Sequence, residues 1–357
     1  MKSRTKILTL CFLLLFTVSI YAQETLVYSV CLVRHGDRTP CQDVGFTNVH
    51  YQWQYSLGEL TPLGMNQEYQ NGKLYREKYV DRLHLLPAEY QSGSISAVST
   101  EMNRTVMSGM SLLTGLYPPG TGPKLTNGQP ALPDALQPIP IFTIPAGDKN
   151  FILREFEDPA ILATKIEQTL KTPKYVALYQ KYQPDLKRWA GLLGVTKKPD
   201  LVDLVNWADY LNCMLQYNAP LPAGLTRAEA ERIVNIGFTL MADMFSDDDI
   251  TRYMASEFMT KLNNDLHAAV NGKQSCKLAL YFGHDICLLG VMSALKSPLP
   301  IDPPYASHLE FDLFREEDNS YIVKATYNNQ PVKFANTNKD YCTLDQFSAL
   351  IQPIIAQ

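Results

Sequence analysis

Leu26-Val27-Tyr28-Ser29-Val30-Cys31-Leu32-Val33-Arg34-His35-Gly36-Asp37-Arg38-Thr39-Pro40 changes its chemistry halfway along. The run from Leu26 to Val33, broken only by Ser29, has the pattern of a strand buried on both faces of a parallel sheet. It stops at Arg34-His35-Gly36, where a glycine suits a tight turn in which backbone approaches a ligand closely. In open α/β sheets, ligands bind at the carboxyl ends of the strands. A strand delivering Arg34, His35 and Arg38 to that edge suits a phosphate. Guanidinium forks match phosphate oxygens at two points, and an imidazole can serve as nucleophile or acid–base group. The plain alternative is a surface loop with scattered charge.

A second junction of the same design lies far downstream. Lys277 to Phe282 reads as a strand that ends at Gly283-His284-Asp285, and Ile286 to Met292 follows as a buried helix. Between the two junctions, Thr61 and Pro62 open a helix that continues to Tyr75. Ser94 to Ser99 reads as a short strand, and Thr105 to Leu116 as a helix with an apolar stripe. Arg104 falls at the turn between them, where helix amides favour anions and a cation is electrostatically misplaced. A phosphate held there accounts for it. Ile139 to Pro145 reads as an edge strand.

These segments resemble the histidine acid phosphatases. Arg34 to Pro40 is similar to the family's Arg-His-Gly-x-Arg-x-Pro signature, and His284-Asp285 to its catalytic His-Asp dipeptide. Ser99 to Thr105 is similar to the segment that presents its third phosphate-binding arginine, here Arg104. Leu60-Thr61-x-x-Gly64, the stretch from Gln137, Pro303 to Phe311 and the end around Cys342 also resemble the family, so the similarity covers nearly the whole mature chain. It implies an α/β fold of the phosphoglycerate-mutase-like kind, with a mostly parallel central sheet and an inserted α-helical cap. The cap is expected at 148–249, where helical spacings dominate and Thr226 with Glu229 reads as a capping box. The α/β domain then comprises 23–147 and 250–357. Asp247-Asp248-Asp249 lacks the spacing of a calcium loop and reads as a solvated loop or a helix cap.

Residues 1–22 have the form of a secretory signal, with Lys2, Arg4 and Lys6 before an apolar run from Ile7 to Ile20. Cleavage after Ala22 is expected, giving a periplasmic or secreted protein with no membrane span. Without those three cations the balance is 29 basic against 36 acidic residues, a net charge of −7 with neutral histidines. An acidic chain does not suit nucleic acid as a partner; a small-molecule phosphomonoester does, and the reading admits a homodimer. Six cysteines follow the signal, and the disulfides of vertebrate relatives are not carried over to them. His50, His84 and His308 read as structural, and His267 as a surface residue near a helix end.

The chemistry expected is hydrolysis of phosphate monoesters through a phosphohistidine on His35. Arg34, Arg38, Arg104 and His284 bind the phosphoryl oxygens, and Asp285, active while protonated, donates to the leaving alcohol. The neighbouring arginines keep His35 neutral in acid. Asp37 reads as structural. No metal or other cofactor is required, since three guanidinium groups neutralise the phosphate. The His-Asp form leans towards an acid or lysophosphatidic acid phosphatase, and a phytase stays open. A mutase of the wider superfamily, or a secreted protein that binds phospho-ligands without turnover, are the competing readings.

Overall fold

The computed structural model describes residues 24–355; the signal-like segment 1–22 lies outside them. The central strand is β1 (Thr25–Arg34). It pairs in parallel with β4 (Leu278–Gly283) on one side and antiparallel with β5 (His308–Arg315) on the other. Beyond β4 lie β2 (Ile95–Thr100) and β3 (Phe142–Ile144); beyond β5 lie β6 (Tyr321–Tyr327) and β7 (Gln330–Val332), with β8 (Tyr341–Thr343) also beside β6. β1 to β4 and β6 run one way, and β5, β7 and β8 the other. The architecture is thus α/β with a mixed, mostly parallel sheet. β3 is an edge strand, which is where flanking prolines cost no ladder hydrogen bond.

The continuous apolar run of β1 follows from burial on both faces. Tyr28, Val30 and Leu32 enter one core, while Leu26, Cys31 and Val33 enter the other. Ala279 and Tyr281 of β4 divide from Leu278, Leu280 and Phe282 in the same way. Ser29, the one interruption, is buried and donates to Asp312 Oδ1 at 2.7 Å. The second core is covered by α1 (Pro62–Tyr75), the π-helical segment Arg76–Arg82 and α2 (Asn103–Leu116). Thr61 caps α1 by accepting from Gly64 N.

Four helices, α3 (Pro159–Leu170), α4 (Pro173–Leu193), α5 (Leu201–Gln216) and α6 (Arg227–Met244), run between β3 and α7 (Asp248–Val270). With α8 (Asp285–Ala294) and α9 (Leu344–Ile355) they build the first core, in which Trp189 and Trp207 are fully buried. Two local expectations change. The Thr226 box closes on one side only: Thr226 accepts from Glu229 N, but the Glu229 carboxylate turns to Arg188 and to Trp189 Nε1 at 3.0 Å. His267 is half-buried and hydrogen-bonds Ser348 Oγ on α9 at 3.0 Å, so it ties two helices together. Asp247 caps α7, accepting from Asp249 N and Ile250 N. All six described cysteines are free thiols.

The turn after β1 is set by backbone, not by a ligand. A Cβ added to Gly36 would lie 2.3 Å from Gly64 O, and one added to Gly64 would lie 2.2 Å from Asp37 O. The first turn of α1 therefore rests directly on the residues that follow the strand. Gly36→Ala is expected to destabilise the fold by about 1–3 kcal/mol, read as a lowered denaturation midpoint. An unchanged midpoint would show that the two segments separate freely.

Candidate active site

The carboxyl ends of β1, β2 and β4 share one edge of the sheet, with Arg34 opposite Gly283. Because β5 is antiparallel, its amino-terminal end joins them, with His308 opposite Val33. The segment before β5 therefore arrives at the same edge. This convergence brings together Arg34, His35, Arg38, Arg104, His284 and Asp285, drawn from four separate stretches of chain.

His35 is buried, and its ring centroid lies 5.4 Å from that of His284 and 5.9 Å from that of Tyr305. Its Nδ1 is 2.8 Å from Gly36 O. A carbonyl can only accept, so Nδ1 carries the proton and Nε2 keeps its lone pair. Nε2 makes no hydrogen bond among the described residues. Burial holds the imidazole well below its ordinary pKa, and the charges of Arg104, Arg38 and Arg34 add to the effect. The arginines named from the sequence thus act second to desolvation.

His284 precedes α8, and its backbone N donates to Cys287 Sγ at 3.4 Å. Its Nε2 is 3.0 Å from Thr100 Oγ1, and its Nδ1 3.5 Å from the Arg104 guanidinium. A hydroxyl both donates and accepts, so Thr100 supports either tautomer. His284 can therefore present Nδ1–H to an anion while uncharged. Burial first, and then the arginines, lower its pKa.

The three guanidinium groups are balanced unequally. Arg34 bridges Asp285 at 2.5 Å and Asp302 at 2.9 Å, and also donates to Pro303 O. Arg38 makes a two-point pair with Asp209 at 2.9 and 3.1 Å. Arg104, on the first turn of α2, has no carboxylate within ion-pair distance among the described residues, and it donates to Gly58 O at 3.3 Å. It is buried, and burial lowers its pKa. The Nε atoms of all three arginines are buried without a hydrogen-bond partner. Donors outnumber acceptors here, which favours a polyoxygen anion.

Asp285 differs from the expectation of a protonated acid. Burial raises its carboxyl, but Arg34 and Arg38 outweigh burial and the net shift is downward. Before substrate binds, it is an ion-paired carboxylate. Asp302, on the far side of Arg34, is raised by burial, which Arg34 only partly offsets. Asp37 lies behind the site. Its Oδ2 accepts from Thr61 Oγ1 at 2.6 Å and from Tyr217 OH at 2.5 Å, a bracing role between α1 and the end of α5.

Sequence reasoning missed Asp209, Asp302 and Tyr305. The Tyr305 ring lies under both arginines, 4.6 Å from Arg34 and 5.6 Å from Arg38. Its segment was singled out from Pro303 onward, one residue after Asp302. Asp209 sits mid-helix in α5, and nothing local distinguishes it from other acidic residues.

The fold and this edge define an α/β protein built to hold a phosphate-like anion beside a neutral histidine. A family model described as the histidine phosphatase superfamily (branch 2) matches residues 25–328. Among curated relatives, lysosomal acid phosphatase from Xenopus laevis is 29% identical over 98% of this chain and 82% of its own length. Prostatic acid phosphatase from Homo sapiens is 27% identical over 97% and 90%. Among solved structures, the phytase from Citrobacter braakii superposes with a TM-score of 0.67 at 17% identity, over 92% of this chain and 98% of that one. The chain belongs to the histidine phosphatase superfamily, branch 2, and is a phosphatase of that family. No helix among the described residues is long and apolar enough to cross a membrane.

Proposed function

We propose that this phosphatase hydrolyses phosphate monoesters in acid by two displacements. His35 is the nucleophile, and Asp285 protonates the leaving oxygen. Arg34, Arg38, Arg104 and His284 grip the phosphoryl oxygens. The observation that carries this reading is Arg104: a buried guanidinium with no carboxylate in reach, beside two histidines held neutral. A phosphoryl group supplies the missing negative charge.

In the first step the His35 Nε2 lone pair attacks phosphorus as the ester P–O bond breaks. The alkoxide takes a proton from Asp285 and leaves as the alcohol. In the second step the Asp285 carboxylate takes a proton from water as the oxygen attacks phosphorus, and His35 is released with inorganic phosphate. Donors already fixed around the equatorial oxygens stabilise the charge that spreads over them in each transition state. A substrate phosphate also competes with Asp285 for Arg34. That competition removes the cation that lowers the carboxyl, so the acid regains its proton when the substrate binds.

The decisive measurement is release of inorganic phosphate from p-nitrophenyl phosphate at acid pH by the purified chain. A protein that only holds phosphorylated ligands would release none, and a mutase little. Arg104→Met is expected to lower kcat/KM by roughly 10- to 100-fold, mostly through KM, as for the loss of a charge-assisted contact. An unchanged KM would detach Arg104 from the substrate. Because three guanidinium groups supply the neutralising charge, prior treatment with a chelator is expected to leave the rate unchanged. A loss restored by a divalent cation would overturn that part of the scheme.

The helices of 148–249 act in this reading as a cap that shapes access to the sheet edge. The character of residues 1–22 supports export to the periplasm or beyond. Amino-terminal sequencing of the protein recovered from a periplasmic extract tests this, with Gln23 expected first.

A further inference from the structure

Beyond Asp285 the site opens into a cleft of about 370 Å³ between the start of α8 and the inserted helices. This lies within the range of small-molecule sites. Its wall is apolar. Ile286 follows Asp285 directly, Leu162 and Ile166 come from α3, Val205 from α5, and Phe238 and Met241 from α6. The acidic side chains that line it are Glu155, Asp209, Asp285 and Asp302; the cation is Arg38, already engaged by Asp209. No lysine lines it among the described residues. The group that protonates a leaving oxygen must lie beside it, so a leaving group held at Asp285 extends along this wall.

We propose that the preferred substrates are monophosphate esters whose alcohol is an extended alkyl or aryl group with no further phosphate. The inference rests on the assignment of Asp285 to the leaving-group side in the reading above. An apolar chain gains by burial against Ile286, Phe238 and Met241. An alcohol bearing more phosphates meets carboxyl groups with no unpaired cation to offset them, and pays for desolvating its charges. The same residues therefore favour one class and penalise the other. Burial and the neighbouring Asp285 raise the Glu155 carboxyl, which fits a site that disfavours additional negative charge.

The test compares kcat/KM at acid pH for ethyl, butyl and octyl phosphate, each below its micelle concentration, with myo-inositol hexakisphosphate and p-nitrophenyl phosphate. The expected rise is roughly three- to fourfold per methylene while the chain still contacts the wall. Octyl phosphate should exceed butyl phosphate by at least tenfold, with inositol hexakisphosphate below both. Met241→Ser and Phe238→Ser are each expected to reduce the octyl-to-butyl ratio at least threefold, a readout within one variant that general destabilisation does not move. A series flat in chain length, or inositol hexakisphosphate turned over faster than octyl phosphate, overturns the proposal and leaves the phosphatase reading standing. Failure to release phosphate from p-nitrophenyl phosphate overturns the phosphatase reading itself and this proposal with it.

Discussion

His35→Ala is expected to remove phosphate release almost entirely, lowering kcat on p-nitrophenyl phosphate by roughly 10⁴-fold or more, as for the loss of an enzymatic nucleophile. The wild type should yield an acid-labile, base-stable phosphoenzyme when quenched during turnover, and the variant none. The size of the effect follows from how completely the structure prepares this one ring. Gly36 O fixes the proton on Nδ1, and burial with the surrounding arginines keeps Nε2 unprotonated. The folded-state pKa lies below the ordinary 6.5, so the nucleophile stays active as pH falls through that value. The acid limb of kcat/KM is therefore expected well below the usual imidazole range. A variant that keeps wild-type turnover, or an acid limb centred at the ordinary imidazole value, would remove His35 from the attacking position.

Asp285→Asn is expected to lower kcat by roughly 10²- to 10⁴-fold on alkyl phosphates, the usual contribution of a positioned proton donor. The loss on p-nitrophenyl phosphate should be far smaller, because p-nitrophenolate leaves without being protonated. Equal losses on both substrates would assign Asp285 a structural part through Arg34. The pH dependence has a definite sign. The acid must carry its proton in the bound complex, so kcat on alkyl esters falls as pH rises through the bound-state pKa of Asp285, and the asparagine variant loses that limb. Arg34 holds the free carboxyl down, so that limb should lie at higher pH for kcat than the free group alone would dictate. Asp302 anchors the other side of Arg34, which can then release Asp285 without losing every partner.

Much of this protein was legible before folding. The apolar run of β1 and the run before His284 could only be strands covered on both faces, and each ended in ionisable residues. Thr61, Pro62 and Gly64 marked the start of α1, and Asp247 capped α7, because a cap is a contact between near neighbours in the chain. Short-range chemistry of this kind survives in the sequence. The matching motifs at Arg34 to Pro40, Arg104 and His284-Asp285 singled out six residues that the fold gathers at one sheet edge.

What the linear chain did not reveal depends on contacts between distant segments. Asp209 reaches Arg38 across 171 positions, and Asp302 reaches Arg34 across 268. Tyr305 arrives at the site only because β5 runs antiparallel to β1 and brings its amino-terminal end to the edge. Glu229 left its expected cap for Arg188 and Trp189 once α4 packed beside α6. The ionisation of the site was decided in the same way. Desolvation, the largest influence on His35, requires a surrounding core, and the ionised state of Asp285 requires Arg34 within hydrogen-bonding distance. The sequence by itself determined which side chains stand at the ends of the strands. The tertiary structure decided which charges they face, because Coulomb and desolvation energies depend on distance and burial, which order along the chain does not specify.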